Sequence, residues 1–250
     1  MVLPGLDGSA VPSDAFVEVA RSRFESVVAI SYPPDRILDY GELEAFVRDL
    51  LPNEPYILLG QSFSGPIALA IAASRPPGLI GLVLSTTFSR SPLPWLSPLA
   101  SLARLAPVRM LPRALLSWWL LGRWATPRLQ SALQRSLRSV EPAVLRSRAA
   151  NALRVDASSR LGAISMPVLY LRASGDRLLS AAAGARIVAS IPRAEGEEIS
   201  GPHLLLQAAP EACAEAVSRF ASRLAIEENG ASEGVGLDRS DQGTSDNDRS

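Results

Sequence analysis

The sequence predicts an α/β fold on a mostly parallel sheet. Over the first ninety residues short apolar runs alternate with helical patterns, as repeated strand–helix units require. The same rhythm returns after Arg160, and the segment between, which breaks it, reads as an insertion. At 250 residues and 26.6 kDa the chain fits one large domain carrying such an insertion.

In order along the chain, Val27-Val28-Ala29-Ile30 is a β-branched-rich run, as expected of a strand buried on both faces. Leu43, Phe46, Val47, Leu50 and Leu51 follow helical spacing, and the stretch from Pro52 to Pro55 closes that helix. Tyr56-Ile57-Leu58-Leu59 is the next strand. Ser64 to Ser74 is small and apolar all round, which predicts a helix packed tightly on the sheet. Leu79 to Ser85 is a further strand. From Ser91 to Arg160 the chain is Pro-punctuated, Arg-rich and helical, and it holds Trp95, Trp118, Trp119 and Trp124. Then come a strand over Pro167 to Leu171, a helix over Ala181 to Ser190, a short strand near Glu197 to Ser200 and a last helix from Pro210 to Leu224. Glu227 to Ser250 lacks apolar periodicity and is expected to be a disordered acidic tail.

All 25 basic residues are Arg, and 25 acids balance them. The neutrality hides an asymmetry. Seven acids and two arginines from Glu227 onward leave the tail at −5, while Ser91 to Arg160 holds eleven arginines against Glu141 and Asp156. A basic segment on a neutral protein suits an anionic partner. Cys213, the single cysteine, excludes an internal disulfide and a cysteine metal cluster. No uninterrupted apolar run is long enough to span a bilayer, and no signal-peptide pattern opens the chain, so a cytoplasmic location is expected.

Chemistry concentrates at four places. Gly60-Gln61-Ser62-Phe63-Ser64-Gly65 lies between a predicted strand and a predicted helix, the context of a nucleophile elbow. A serine on so sharp a turn needs small neighbours two before and two after, here Gly60 and Ser64. Asp176, in Ser174-Gly175-Asp176, follows the strand ending at Leu171. His203, the only histidine, follows the last short strand. Each alone has an ordinary structural reading. Together they occur in the order Ser, Asp, His and at strand ends, which points to Ser62 as nucleophile, His203 as base and Asp176 as its orienter. Leu3-Pro4-Gly5-Leu6-Asp7-Gly8 is a Gly turn after a strand, so the N–H groups of Leu6 and Phe63 are assigned to the oxyanion hole.

On these motifs the chain resembles the α/β-hydrolase superfamily over about Met1 to Leu224, and small capped bacterial members in particular. The stretch from Ser158 to Asp176 is similar to carboxylesterases that remove methyl esters from pimeloyl-carrier-protein, although Leu179-Ser180 stands where those have Val-Pro. The resemblance implies a helical cap between the sixth and seventh strands, where Ser91 to Arg160 falls. The expected organisation is a core of residues 1–90 and 161–226, a cap of 91–160 and a tail of 227–250. The chain starts directly in the strand before the oxyanion loop, so the sheet is expected to lack the fold's first two strands. The cap tryptophans are expected to line an apolar pocket leading to Ser62, with the arginines mainly outside.

The expected activity is that of a carboxylic ester hydrolase, esterase- or thioesterase-like, acting through a Ser62 acyl-enzyme on a small ester or thioester with an apolar acyl or alkyl group. No metal or organic cofactor and no nucleic acid is required. The basic cap suits an acidic acyl carrier protein or an anionic membrane surface. Two other readings fit the same residues: a non-catalytic ligand-binding protein on this fold, and an acyltransferase or perhydrolase using the same triad.

Overall fold

A computed structural model of the chain describes residues 1–10, 14–93, 95, 98 and 112–236. Five parallel strands form one sheet, ordered β1 (Val2–Leu3), β2 (Tyr56–Gln61), β3 (Leu79–Ser85), β4 (Val168–Ala173) and β5 (Ala194–Ile199). Leu58, Leu82, Leu84 and Tyr170 enter one apolar cluster, whereas Leu59, Val83, Leu169 and Leu171 enter another. That parity follows from the strand period of two, and both faces are buried, as a parallel sheet requires.

Helices cover both faces. On the first lie α2 (Tyr40–Arg48), α3 (Gly65–Ala73) and α7 (Ala181–Ser190), which supply Leu43, Val47, Ile67, Ile71 and Ile187. On the second lie α1 (Asp14–Arg21) and α9 (Pro210–Gly236), which supply Phe16, Val17, Cys213, Val217 and Phe220. The start of α2 is set by a capping box, in which Asp39 accepts from the Glu42 amide and Glu42 from the Asp39 amide. Helix α3 buries every residue from Gly65 to Ala72, in keeping with its all-round apolar sequence. The helical insertion falls between β3 and β4 and comprises α4 (Arg113–Leu120), α5 (Pro127–Arg138) and α6 (Pro142–Ala152). A four-residue helix, α8 (Leu205–Ala208), follows β5.

The predicted strand over Val27 to Ile30 is reduced to a bridge between Ala29 and Val2, with the Val2 amide donating to Val28 O at 2.8 Å. It is not buried on both faces, because it lies at the sheet edge and Val28 is 49% exposed. Counting that bridge as a vestigial strand, the insertion follows the fourth of six strands among the described residues. The last helix also overruns its prediction, continuing to Gly236. Residues 227–236 are therefore helical rather than part of a disordered tail, and Glu227 pairs with Arg193. The rest of the predicted tail, 237–250, lies outside the described residues, as does most of the predicted cap before residue 112. No helix among the described residues is long and apolar enough to cross a membrane.

Candidate active site

The carboxyl ends of β2, β3, β4 and β5 bring together the residues on which the site depends. Ser62 follows β2 at the sharp turn into α3 and has φ of 47°, a left-handed conformation that costs a non-glycine residue roughly 1–3 kcal/mol. Several side chains hold it there. Thr87 Oγ1 donates to the Ser62 carbonyl, and Tyr40 OH donates to Phe63 O at 3.1 Å while its ring stacks on Phe63 at 4.8 Å. At Gly60 a Cβ would lie 2.7 Å from Ala68 Cβ, so strand and helix meet there only because glycine has none.

The tightest contact is one position beyond the expected elbow residues. A Cβ on Gly65 would lie 1.8 Å from Thr87 Oγ1. Gly65→Ala is therefore expected to destabilise the fold by about 2 kcal/mol, as overpacking does, and to lower Tm by roughly 4–8 °C in a thermal melt. An unchanged Tm would show that Thr87 has room to move.

His203 presents Nε2 to Ser62 Oγ at 2.8 Å and Nδ1 to Asp176 Oδ2 at 2.8 Å. Asp176 is held by its other oxygen, which accepts from the amides of Leu178 at 2.8 Å and Leu179 at 2.9 Å. With Nδ1–H given to the carboxylate, Nε2 keeps its lone pair for the serine hydroxyl. Thr86, with φ of 44°, donates from Oγ1 to the His203 carbonyl at 2.9 Å, and Tyr170 OH donates to Thr87 O at 2.8 Å. Beside the serine, Gln61 and Gln207 exchange amide hydrogen bonds of 2.9 and 3.1 Å.

Ser64 is fully buried and does more than stay small. Its hydroxyl donates to the Pro4 carbonyl and receives the Tyr32 hydroxyl at 2.6 Å, which ties the elbow to the Gly5–Gly8 turn. Phe63 lies in the first turn after Ser62, where N–H groups lack a helical acceptor. Leu6 lies on the opposite loop and lines the same cavity as Ser62. Burial raises the Asp7 carboxyl to about 6, against the opposing pull of the Ser9 amide and the Arg148 cation.

A cavity of about 630 Å³ opens on Ser62 and His203, within the range of small-ligand sites. Its apolar wall is mainly leucine, with Leu120, Leu129, Leu133, Leu137 and Leu178 beside Val19 and Ala132. The tryptophans do not line it, contrary to expectation. Trp124 instead packs over Gly175, where a Cβ would lie 2.3 Å from its ring. Trp118 is 55% exposed beneath the Arg177 guanidinium, 4.6 Å from its ring centre, and Trp95 is 72% exposed. These rings brace the Asp176 loop and the insertion's outer surface. The insertion's described arginines are mainly exposed, Arg128 and Arg135 at the cavity's rim among them, whereas Arg148 is buried at 2% exposure.

Nothing in the sequence distinguishes Arg148 among eleven arginines of one basic segment. Thr86, Thr87 and Tyr32 carry no motif either. Among the described residues, no group of three or more His, Cys, Asp or Glu side chains is arranged to hold a metal ion.

Comparison with known proteins bears on the family and the fold. Residues 35–205 match the family model described as serine aminopeptidase, S33. No curated protein sequence is significantly similar to the chain. Among solved structures, a hydrolase from Pseudomonas aeruginosa PA01 superposes with a TM-score of 0.74 at 21% identity, covering 88% of each chain. The enol-lactonase from Burkholderia xenovorans LB400 superposes with a TM-score of 0.72 at 21% identity, over 88% of this chain and 90% of its own. A thermophilic esterase from Thermogutta terrifontis gives 0.73 at 18% identity, over 89% of both. At such identities the likeness is one of fold.

Proposed function

Since the chain belongs to the serine aminopeptidase S33 family of α/β-hydrolases, we propose that it is a serine hydrolase cleaving a carboxylic ester or thioester with an apolar acyl or alkyl group. The observation that carries this reading is the unbroken hydrogen-bonded array from Ser62 through His203 to Asp176, opening into a leucine-walled cavity.

Ser62 Oγ attacks the carbonyl carbon as its proton passes to His203 Nε2, and the carbonyl π pair moves onto oxygen. That oxyanion faces the Leu6 and Phe63 amides. On collapse the bond to the leaving alcohol or thiol breaks, and His203 returns the proton to it. Water, deprotonated by the same nitrogen, then attacks the acyl-enzyme and releases the acid and free Ser62. Asp176 keeps the imidazole in the tautomer both halves need and stabilises its charged form.

A second reading has its own support. Asp14, Glu18 and Glu211 also line the cavity, and such carboxylates suit a substrate bearing a free amine, as the family's name describes. One experiment tests both. The protein is labelled with a fluorophosphonate probe and the modified peptide mapped, then a short-chain nitrophenyl ester is compared with an aminoacyl nitroanilide. Labelling at Ser62 with faster ester turnover is expected. Preference for the nitroanilide would favour the second reading, and an unlabelled Ser62 with no turnover would remove the hydrolase assignment.

A further inference from the structure

Five consecutive carbonyls of the loop opposite the elbow each have a named donor. Pro4 O accepts from Ser64 Oγ, Gly5 O from the Gly8 amide at 3.0 Å, and Gly8 O from the Tyr32 amide at 2.8 Å. The remaining two, of Leu6 and Asp7, belong to one side chain. Arg148 Nη1 donates to Leu6 O at 3.2 Å and to Asp7 O at 2.8 Å, and Nη2 donates to Pro33 O at 2.9 Å. In a trans peptide the N–H points opposite to the neighbouring C=O. The Leu6 N–H is set in this way by the Gly5 carbonyl, which is held by the Gly8 amide, and the carbonyl of that same Asp7–Gly8 peptide is the one Arg148 grips, so the arginine fixes the Leu6 amide through the turn.

Arg148 comes from the insertion, on α6, and reaches across it into the core. It is among the largest fully buried side chains, with its guanidinium 5.6 Å from the Tyr32 ring centre. Gly8 makes room for it. Its φ is +70°, and a Cβ there would lie 2.2 Å from Arg148 Nη1. A buried cation donating to three carbonyls is costly unless the arrangement serves something, because desolvation opposes it. The rigid fork of arginine matches adjacent carbonyls in a way that an ammonium does not.

We infer that Arg148 is a positioning residue for the reaction. It holds the Gly5–Gly8 loop so that the Leu6 amide meets the oxyanion, and it makes transition-state stabilisation depend on the helical insertion. This inference rests on the hydrolase reading above. It goes beyond that reading by naming the residue that aims the amide.

The test compares wild type with Arg148→Lys, Arg148→Met and Gly8→Ala on a short-chain nitrophenyl ester. Gly8→Ala keeps the arginine and displaces its guanidinium. In each, kcat is expected to fall about 10–100-fold, somewhat less than for outright loss of an oxyanion donor, with KM within about twofold. A boronic acid, whose tetrahedral adduct on Ser62 places an oxygen in the same hole, should lose affinity by the same factor. Arg148→Lys should recover part of the loss relative to Arg148→Met. Near-UV circular dichroism identifies which variants are folded. Unchanged kcat in a folded variant, or lost kcat with full boronate affinity, overturns the inference while wild-type turnover leaves the hydrolase reading standing. If the wild type shows no Ser62-dependent turnover, both fall.

Discussion

Ser62→Ala is expected to lower kcat for a nitrophenyl ester by about 10⁶-fold, with KM little altered. The size follows from the geometry. Without Oγ there is no acyl-enzyme, His203 has no proton to take, and only the oxyanion donors and binding remain. Steady-state turnover and fluorophosphonate labelling check it together. Residual activity within tenfold of wild type would mean that another residue attacks.

Asp176→Asn should cost about 10⁴-fold in kcat with the fold intact. The Leu178 and Leu179 amides, at 2.8 and 2.9 Å, demand an acceptor and will capture the Asn carbonyl oxygen. The Asn NH₂ is then turned toward His203 Nδ1, which must accept. The ring proton moves to Nε2 and faces Ser62, and the base is lost while every atom stays near its place. The check is kcat alongside a thermal melt. A loss of activity matched by a large fall in Tm would assign Asp176 to structure instead.

The central strands were legible because buried parallel strands read as continuous apolar runs. β3 spans Leu79–Ser85 as expected, and β2 runs past Leu59 only to Gln61. The Ser62, Asp176 and His203 cluster was legible for another reason: each lies just beyond a strand, and chain order with strand polarity is enough to collect strand ends. What the sequence hid depends on three-dimensional packing. Val28 looks like core, yet its run sits at an edge where Ile30 is buried and Val28 is left exposed. The insertion's tryptophans look like pocket lining by hydrophobicity, but Trp124 had a glycine to fill at Gly175, and leucines took the cavity wall. Helix α9 continues past Leu224 although its sequence turns polar there, and Glu227 finds Arg193.

Thr86 and Thr87, at the end of β3, bind the His203 carbonyl and the Ser62 carbonyl respectively. The two halves of the chemistry, encoded 141 positions apart, are thus registered against each other by one dipeptide of the sheet and not by the insertion between them. The insertion meets the core at several points, among them Asn151 on Leu38 O and the Glu141 amide on Pro34 O, but it is Arg148 that reaches the carbonyls of the oxyanion loop. A chimera carrying a foreign insertion on this core would inherit an aligned serine and histidine, and would acylate with reactive probes that need little help. It would lack Arg148, and so would hydrolyse ordinary esters poorly until an arginine was supplied from the new segment. Diversification of substrate range by exchanging insertions would then be constrained at Arg148, while the leucines of the cavity wall remain free to change.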